Sequence, residues 1–239
     1  MSRRIGGAPA VILGTSEALL GRSVTTAEVV AACRPDHDAA RWKARTGIGR
    51  RYWVEPGETT LAQHGAVAVE RALEAADLRA TDLRRLILVT TAEGDLIGSA
   101  TANAVAVELG LEGSCDAFDI SNACTGFLTG LDLAARCVAT GLGPVAVVSA
   151  EQFSRAIRPE DHRPYLVMGD AAAAAIVGRG DEPGAGFVSS FFGNQGAYLG
   201  AVSVQLVSPE GSDRVERRTV FSAKHKELNA LASEAMLPP

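Results

Sequence analysis

The chain has 239 residues, a formal net charge of -5, and a composition that is 47% hydrophobic and 21% charged. That balance describes a soluble, globular protein with enough length for one sizeable core or two small ones. It excludes a nucleic-acid surface, because "RVERR" (214–218) is short and interrupted by Glu216, and a membrane helix, because no apolar run reaches about 18 residues.

The opening "MSRRIGGAPAVILG" is too short in its apolar part, and too rich in glycine, for a signal peptide, and 10–14 reads as a first strand. Further Val-, Ile- and Leu-rich runs at 85–91, 116–120, 144–150, 173–178 and 186–192 predict strands. Helical spacing falls between several of them, at 25–33, 59–77, 99–109 and 123–140. In 59–77, Thr59 or Thr60 is placed to cap the helix, and Val67, Leu73 and several alanines form its buried face. Strands alternating with helices of this length predict a mainly parallel sheet buried on both faces. The break "GRGDEPGAG" suits a hairpin joining the last two strands. Residues 194–218 show little periodicity. From 219 to 236 helical spacing returns, with Phe221, Leu228, Leu231 and Ala235 on one side, and that apolar side needs something to bury it.

The four cysteines (33, 115, 124 and 137) have no CxxC spacing, so neither zinc nor a disulfide framework is expected, and the thiols suit a reducing cytoplasm. Cys124 stands out in "DISNACTGFLTG", where a strand gives way to a helix. Unpaired N–H groups and the helix dipole at a helix start favour an anion there, and the thiolate is the nucleophilic form of cysteine. The same N–H groups can stabilise an oxyanion, and Gly126 leaves room for a close approach by substrate or backbone. Position alone leaves open that Cys124 is a small buried hydrophobe.

"AFDISNACTGFLTGLDLAARCVATG" resembles the active-site segment of the β-ketoacyl-ACP synthase III family, which has the thiolase fold. "RTGIGRR" (45–51), "LILVTTAEGDLIGSATANAVAVELGL" (86–111) and "YLVMGDAAAAAIV" (165–177) resemble other segments of that family, in the same order. The resemblance implies an α/β, thiolase-like fold: one βαβαβαββ half of an αβαβα sandwich, with the second half missing from this chain. It divides the chain into a nucleophile-bearing half (1–193), a connecting segment (194–218) and a linker helix (219–239). Cys124 would be the acyl-accepting nucleophile of an acyltransferase, taking its acyl group from acyl-CoA or acyl-ACP as substrate, with no cofactor and no metal. Trp42, Arg45 and Arg163 resemble the family's coenzyme A contacts, each shifted by one residue. Ile97, Gly98 and Met168 would line the acyl pocket, and Asp170 would fix a turn.

In this family a histidine and an asparagine of the second half stabilise the enolate, and neither of their segments occurs here. His37, His64, His162 and His225 are each read as surface or structural residues, and the Asn of "GNQG" (193–196) as a turn. The expectation is therefore a second polypeptide resembling the C-terminal half that supplies His and Asn. An acyl carrier protein as partner, and a higher dimer formed through an edge strand near 115–120, belong to the same expectation. The chain is also similar to the long-chain acyl-CoA condensing enzymes of olefin biosynthesis, but Gly98 stands where those carry a glutamate base. The alternative is a non-catalytic subunit stabilising a ketosynthase-like partner. A self-sufficient cysteine hydrolase is the weakest reading, for want of a nearby histidine pattern.

Overall fold

A computed structural model of the chain describes residues 3–231 apart from 8, 92–93, 96–98, 183, 194–195, 199, 209–214, 222–226 and 228–229. In chain order its elements are β1 (Arg3–Arg4), β2 (Ala10–Ala18), β3 (Arg22–Thr25), α1 (Thr26–Cys33), α2 (Ala39–Thr46), β4 (Arg50–Trp53), α3 (Leu61–Ala75), β5 (Arg85–Val89) and α4 (Thr101–Glu108). There follow β6 (Asp116–Ile120), α5 (Gly126–Ala139), β7 (Val145–Gln152), α6 (His162–Val167), β8 (Asp170–Arg179), β9 (Ser189–Ser190), β10 (Val202–Val207) and β11 (Glu216–Phe221). They fall into two compact units. The first comprises Met1–Arg22, Tyr52–Gln152 and Asp170–Phe192, and the second Ser23–Arg51, Phe153–Gly169 and Gly193–Pro239.

The first unit is built on a five-stranded sheet of order β2-β8-β7-β5-β6. β5 runs parallel to both β6 and β7, while β8 is antiparallel to β7 and to β2. The expectation of a mainly parallel sheet is thereby corrected to a mixed one. The reason lies between β7 and β8. Residues 153–169 between them carry as α-helix only the short α6 and belong to the second unit, and β8 runs antiparallel to β7 rather than following it as a βαβ crossover would.

The period of two along each strand sends alternate side chains to opposite faces. Leu86 and Leu88 of β5, Ala146, Val148 and Ala150 of β7, and Ala172, Ala174 and Ile176 of β8 pack with Leu61, Val69 and Leu73 of α3 and Val105 of α4. Ile87, Val145, Val147 and Val177 point the other way and pack with Ala134, Ala135, Cys137 and Val138 of α5. Large apolar side chains left exposed in this unit include Ile12, Leu128 and Phe191, the last 69% exposed.

Helix starts follow local chemistry. Thr60 and Gln63 cap α3 reciprocally: Gln63 N–H donates to Thr60 Oγ1 at 3.0 Å and Thr60 N–H to Gln63 Oε1 at 3.1 Å. Thr25 and Glu28 do the same for α1. Asp38 caps α2, whose C-terminus closes on Gly47 at φ 75°. Asp170, 2% exposed, holds the N–H of Val54 at 2.8 Å, so it fixes backbone as expected.

Three expectations fail on strand pairing and extent. The hairpin between 173–178 and 186–192 does not form: β8 is occupied on both edges by β2 and β7, and β9 pairs with β1. The connecting segment 194–218 is not structureless, because β10 pairs in register with β11 from Val202↔Phe221 to Val207↔Glu216. β11 also runs to Phe221, so a helix does not start at 219; Glu227, Ala230 and Leu231 are helical. Of the two roles read for His64, surface or structural, the fold gives the structural one: it is fully buried, its Nε2 2.9 Å from the carbonyl of Ala18.

In the second unit the Arg51 guanidinium is 6% exposed and donates to the carbonyl of Leu166 at 2.7 Å and to Thr26 Oγ1 at 3.2 Å. Ion pairs join Arg158 to Glu216 and Arg218 to Asp161. Two charges of "RVERR", Glu216 and Arg218, are thus spent on ion pairs within the fold.

Candidate active site

Cys124 occupies a single 3₁₀ turn, Ala123–Thr125, between the carboxyl end of β6 and the start of α5. The helix was expected from 123; it begins at Gly126, leaving the cysteine just outside the first α-turn. Ala123 has φ 45°, a left-handed conformation that costs an L-residue about 1–2 kcal/mol. Strained turns of this kind, placed between a strand and a helix, present nucleophiles at the top of other α/β sheets. Among the described residues no side chain caps α5 at Thr125, while the Gly126 N–H already donates to the carbonyl of Ala123, so an oxyanion there would be met by N–H groups further into the first turn.

Of the four cysteines only Cys124 is exposed. Burial pushes the Cys33 thiol above its ordinary range against the pull of Arg34 and Arg51. Burial and the adjacent Asp116 push Cys115 up as well. Cys137 is buried and accepts from Arg85 Nη1 at 3.0 Å.

Of the close approaches read for Gly126, by substrate or by backbone, the packing shows one within the fold. A Cβ built there would run into Val89 Cγ1, and one at Gly130 would lie 2.7 Å from Val147 Cγ1. The two glycines, one helical turn apart, let α5 press onto β5 and β7. They seat the helix on the sheet.

Trp42 and Arg45 meet on α2, with the guanidinium 4.3 Å from the centre of the indole ring. Together with Asp36, His37, Asp38 and Arg41 they line a cavity of about 510 Å³. Arg163 is the second residue of α6 and Met168 follows its last turn in the same unit, Arg163 exposed and Met168 half-buried. His162 lies 2.8 Å (Nε2) from Arg34 Nη2. Burial and that guanidinium, with smaller contributions from Arg163 and His37, hold its imidazole below the usual histidine range, while Asp161 opposes them. Cys124 belongs to the other unit. Ile97, Gly98, His225 and the Asn of "GNQG" lie outside the described residues.

Sequence reasoning missed the carboxylates that hold this end of the sheet. Asp119, at the fourth position of β6, accepts from the N–H of Thr101 at 2.8 Å and of Ala102 at 2.7 Å, capping α4 from another strand. Asp95 does the same for α3 through Leu61 (2.8 Å) and Ala62 (2.9 Å). Glu151 accepts from the N–H and hydroxyl of Thr91. One signal was readable for Asp119: α4 follows Ala100, which has no side chain to cap it. Among the described residues no group of three His, Cys, Asp or Glu could hold a metal ion, and no helix is long and apolar enough to cross a membrane.

The family model for 3-oxoacyl-[acyl-carrier-protein (ACP)] synthase III matches residues 118–196, a span that includes Cys124. The chain is 40% identical over 177 residues to β-ketoacyl-[acyl-carrier-protein] synthase III 3 of Streptomyces coelicolor, covering 73% of this chain and 50% of that protein. It is 34% identical over 233 residues to β-ketoacyl-[acyl-carrier-protein] synthase III of Sphingopyxis alaskensis, covering 95% of this chain and 71% of that one. The crystal structure of the priming β-ketosynthase from the R1128 polyketide pathway superposes with a TM-score of 0.81 at 29% identity, over 97% of this chain and 69% of that one. OleA of Xanthomonas campestris, at 23% identity and a TM-score of 0.60, shares the fold over 72% of this chain and 58% of its own. The chain spans 50% and 58% of the lengths of the two Streptomyces coelicolor relatives it matches. With the fold shared and the identity to the Sphingopyxis alaskensis protein running over 71% of its length, the chain belongs to the β-ketoacyl-acyl-carrier-protein synthase III family.

Proposed function

We propose that this chain is the acyl-accepting part of a β-ketoacyl-ACP synthase III-like condensing enzyme or acyltransferase. The Cys124 thiolate attacks the carbonyl carbon of an acyl-CoA or acyl-ACP thioester. The tetrahedral oxyanion is met by N–H groups at the open end of α5, and the carrier thiolate leaves as the acyl group remains on Cys124. The observation that carries this reading is the exposed cysteine on a strained turn at the mouth of an uncapped helix. Trp42 offers an indole face and Arg45 a phosphate-binding fork to coenzyme A, with the cavity on α2 as the berth.

Decarboxylative condensation needs an electrophilic pair for the enolate, and losing such donors typically lowers rate by orders of magnitude. In this reading the histidine and asparagine come from a second polypeptide resembling the C-terminal half, working in the cytoplasm with an acyl carrier protein. Support comes from apolar side chains such as Ile12 and Leu128 that lie exposed and would be covered by such a partner. β6, which among the described residues pairs with β5 alone, is the edge through which composites would dimerise.

Native purification followed by intact mass spectrometry tests both parts. The reading predicts an acyl mass on this chain, its loss in Cys124→Ala, and a companion polypeptide bearing the His and Asn segments. An unmodified chain that purifies alone and accepts no acyl group from acyl-CoA or acyl-ACP would overturn it, and leave the non-catalytic subunit in its place. A single longer polypeptide carrying both segments would replace the partner alone.

A further inference from the structure

The turn that carries Cys124 is enclosed by three polar side chains. Asn122 Nδ2 donates to Thr129 Oγ1 at 2.8 Å. Thr129 Oγ1 donates in turn to the carbonyl of Thr125 at 3.2 Å. Thr125 Oγ1 donates to the carbonyl of Asn122 at 3.0 Å. The bonds close a ring: the side chain of Asn122 reaches Thr129, Thr129 returns to the backbone of Thr125, and Thr125 returns to the backbone of Asn122. Ala123 and Cys124 are the residues inside it.

The two threonine-to-carbonyl bonds are local ones that threonines often make near helix starts. The asparagine bond is different, because it spans seven residues and ties the chain before the strained alanine to the first turns of α5. A left-handed alanine persists only where its surroundings over-determine it. α5 is a firm anchor for that purpose, since Gly126 and Gly130 seat it against Val89 and Val147. Without the ring, Ala123 can relax, and the direction of the next Cα–Cβ bond, which is that of Cys124, changes with it.

We propose that Asn122, Thr125 and Thr129 are positioning residues, a hydrogen-bonded ring that keeps the strained turn in place and aims the Cys124 sulfur. None of the three needs to touch the acyl donor. Their loss should therefore slow attack without weakening donor binding, because small misplacements of a reacting atom lower rate steeply. The proposal rests on Cys124 being the acyl acceptor.

The experiment uses the full chain, with any partner it purifies with, as wild type, Thr129→Val, Thr129→Ser and Asn122→Ala. Two reactions are followed at the Cys124 peptide: acylation by acetyl-CoA or butyryl-CoA, and alkylation by iodoacetamide. The expected result is a fall of about tenfold in the maximal acylation rate for Thr129→Val and Asn122→Ala, with half-saturation unchanged, and a slower alkylation. Thr129→Ser, which keeps the hydroxyl, restores both to within about twofold of wild type. A residue that only stabilised the fold would lower the melting temperature and leave rates well below it unchanged. Wild-type rates in Thr129→Val, a serine variant as slow as the valine one, or an effect confined to half-saturation would each overturn the proposal. If wild type takes no acyl group from either ester, the acyl-acceptor reading fails, and the alkylation rates still decide whether the ring aims the sulfur.

Discussion

Replacing Asp119 tests whether a carboxylate on one strand holds the helix beside it. The side chain is half-buried and receives two backbone N–H groups from the start of α4, at 2.8 and 2.7 Å. A hydrogen bond to a charged group contributes about 1.5–3 kcal/mol net, and a helix-capping side chain about 0.5–2 kcal/mol. The two bonds share one carboxylate and partial access to water, so Asp119→Ala should cost about 2–3 kcal/mol rather than the sum. Asp119→Asn keeps one acceptor and turns an NH₂ toward the other N–H, which places it between, at about 1–2 kcal/mol. For a chain of this size each kcal/mol lowers the melting temperature by about 2–4 °C, giving a fall of about 4–12 °C for alanine. Asp116 on the same strand is the control: it pairs with Arg85 at 2.6 Å but its side chain is 54% exposed, and removing it should cost under about 1 kcal/mol. Urea and thermal unfolding of the three variants give the order Asp119→Ala, Asp119→Asn, Asp116→Ala in decreasing severity. Equal effects for Asp116→Ala and Asp119→Ala, or an asparagine variant as stable as wild type, would refute the reasoning.

Gly130→Ala brings a methyl to 2.7 Å from Val147 Cγ1, an over-packing cost of about 1–3 kcal/mol against about 1 kcal/mol of helix propensity gained. Its net destabilisation, read from urea midpoints, should shrink in a Val147→Ala background, because the stiff valine is what the new methyl meets. His162 gives a pH signature. Its imidazole is held below the usual range, so between the folded value and the unfolded one near about 6.5 the unfolded state binds more protons. Stability should therefore fall as pH drops through that window and level off below it, and His162→Gln should flatten this part of the unfolding-midpoint profile.

Much of the fold was legible because it rests on local pattern. The runs at 85–91, 116–120 and 144–150 became β5, β6 and β7, and Thr60 caps α3 as its position before an apolar-periodic run implies. What failed was partner choice. β8 reads the same from its alanines whether it pairs with β2 and β7 or folds back on 186–192, and only the sheet as a whole decides. β10 and β11 hide in a charged segment because Glu216 and Arg218 are neutralised by Arg158 and Asp161, residues far away in sequence. That His64 is structural and buried, not a surface residue, was hidden for a related reason: the acceptor that lets its imidazole be buried is the carbonyl of Ala18, distant in the chain.

The cysteine was readable from its neighbours, whereas the strain at Ala123 was not, because no residue type announces a left-handed alanine. The role of Gly126 was likewise hidden, since the side chain that excludes a Cβ there comes from β5. Trp42 and Arg45, three residues apart on one short helix, are brought together simply by helical spacing.

The most direct measurement locates an acyl group on the chain. After incubation with an acyl-CoA, proteolysis and mass spectrometry should find the added mass on the peptide carrying Cys124, removable by hydroxylamine. Peptides carrying Cys33, Cys115 and Cys137 should stay unmodified, as their burial requires. An adduct on any of those three with Cys124 left free, or none on the chain together with its native partner, would contradict the account.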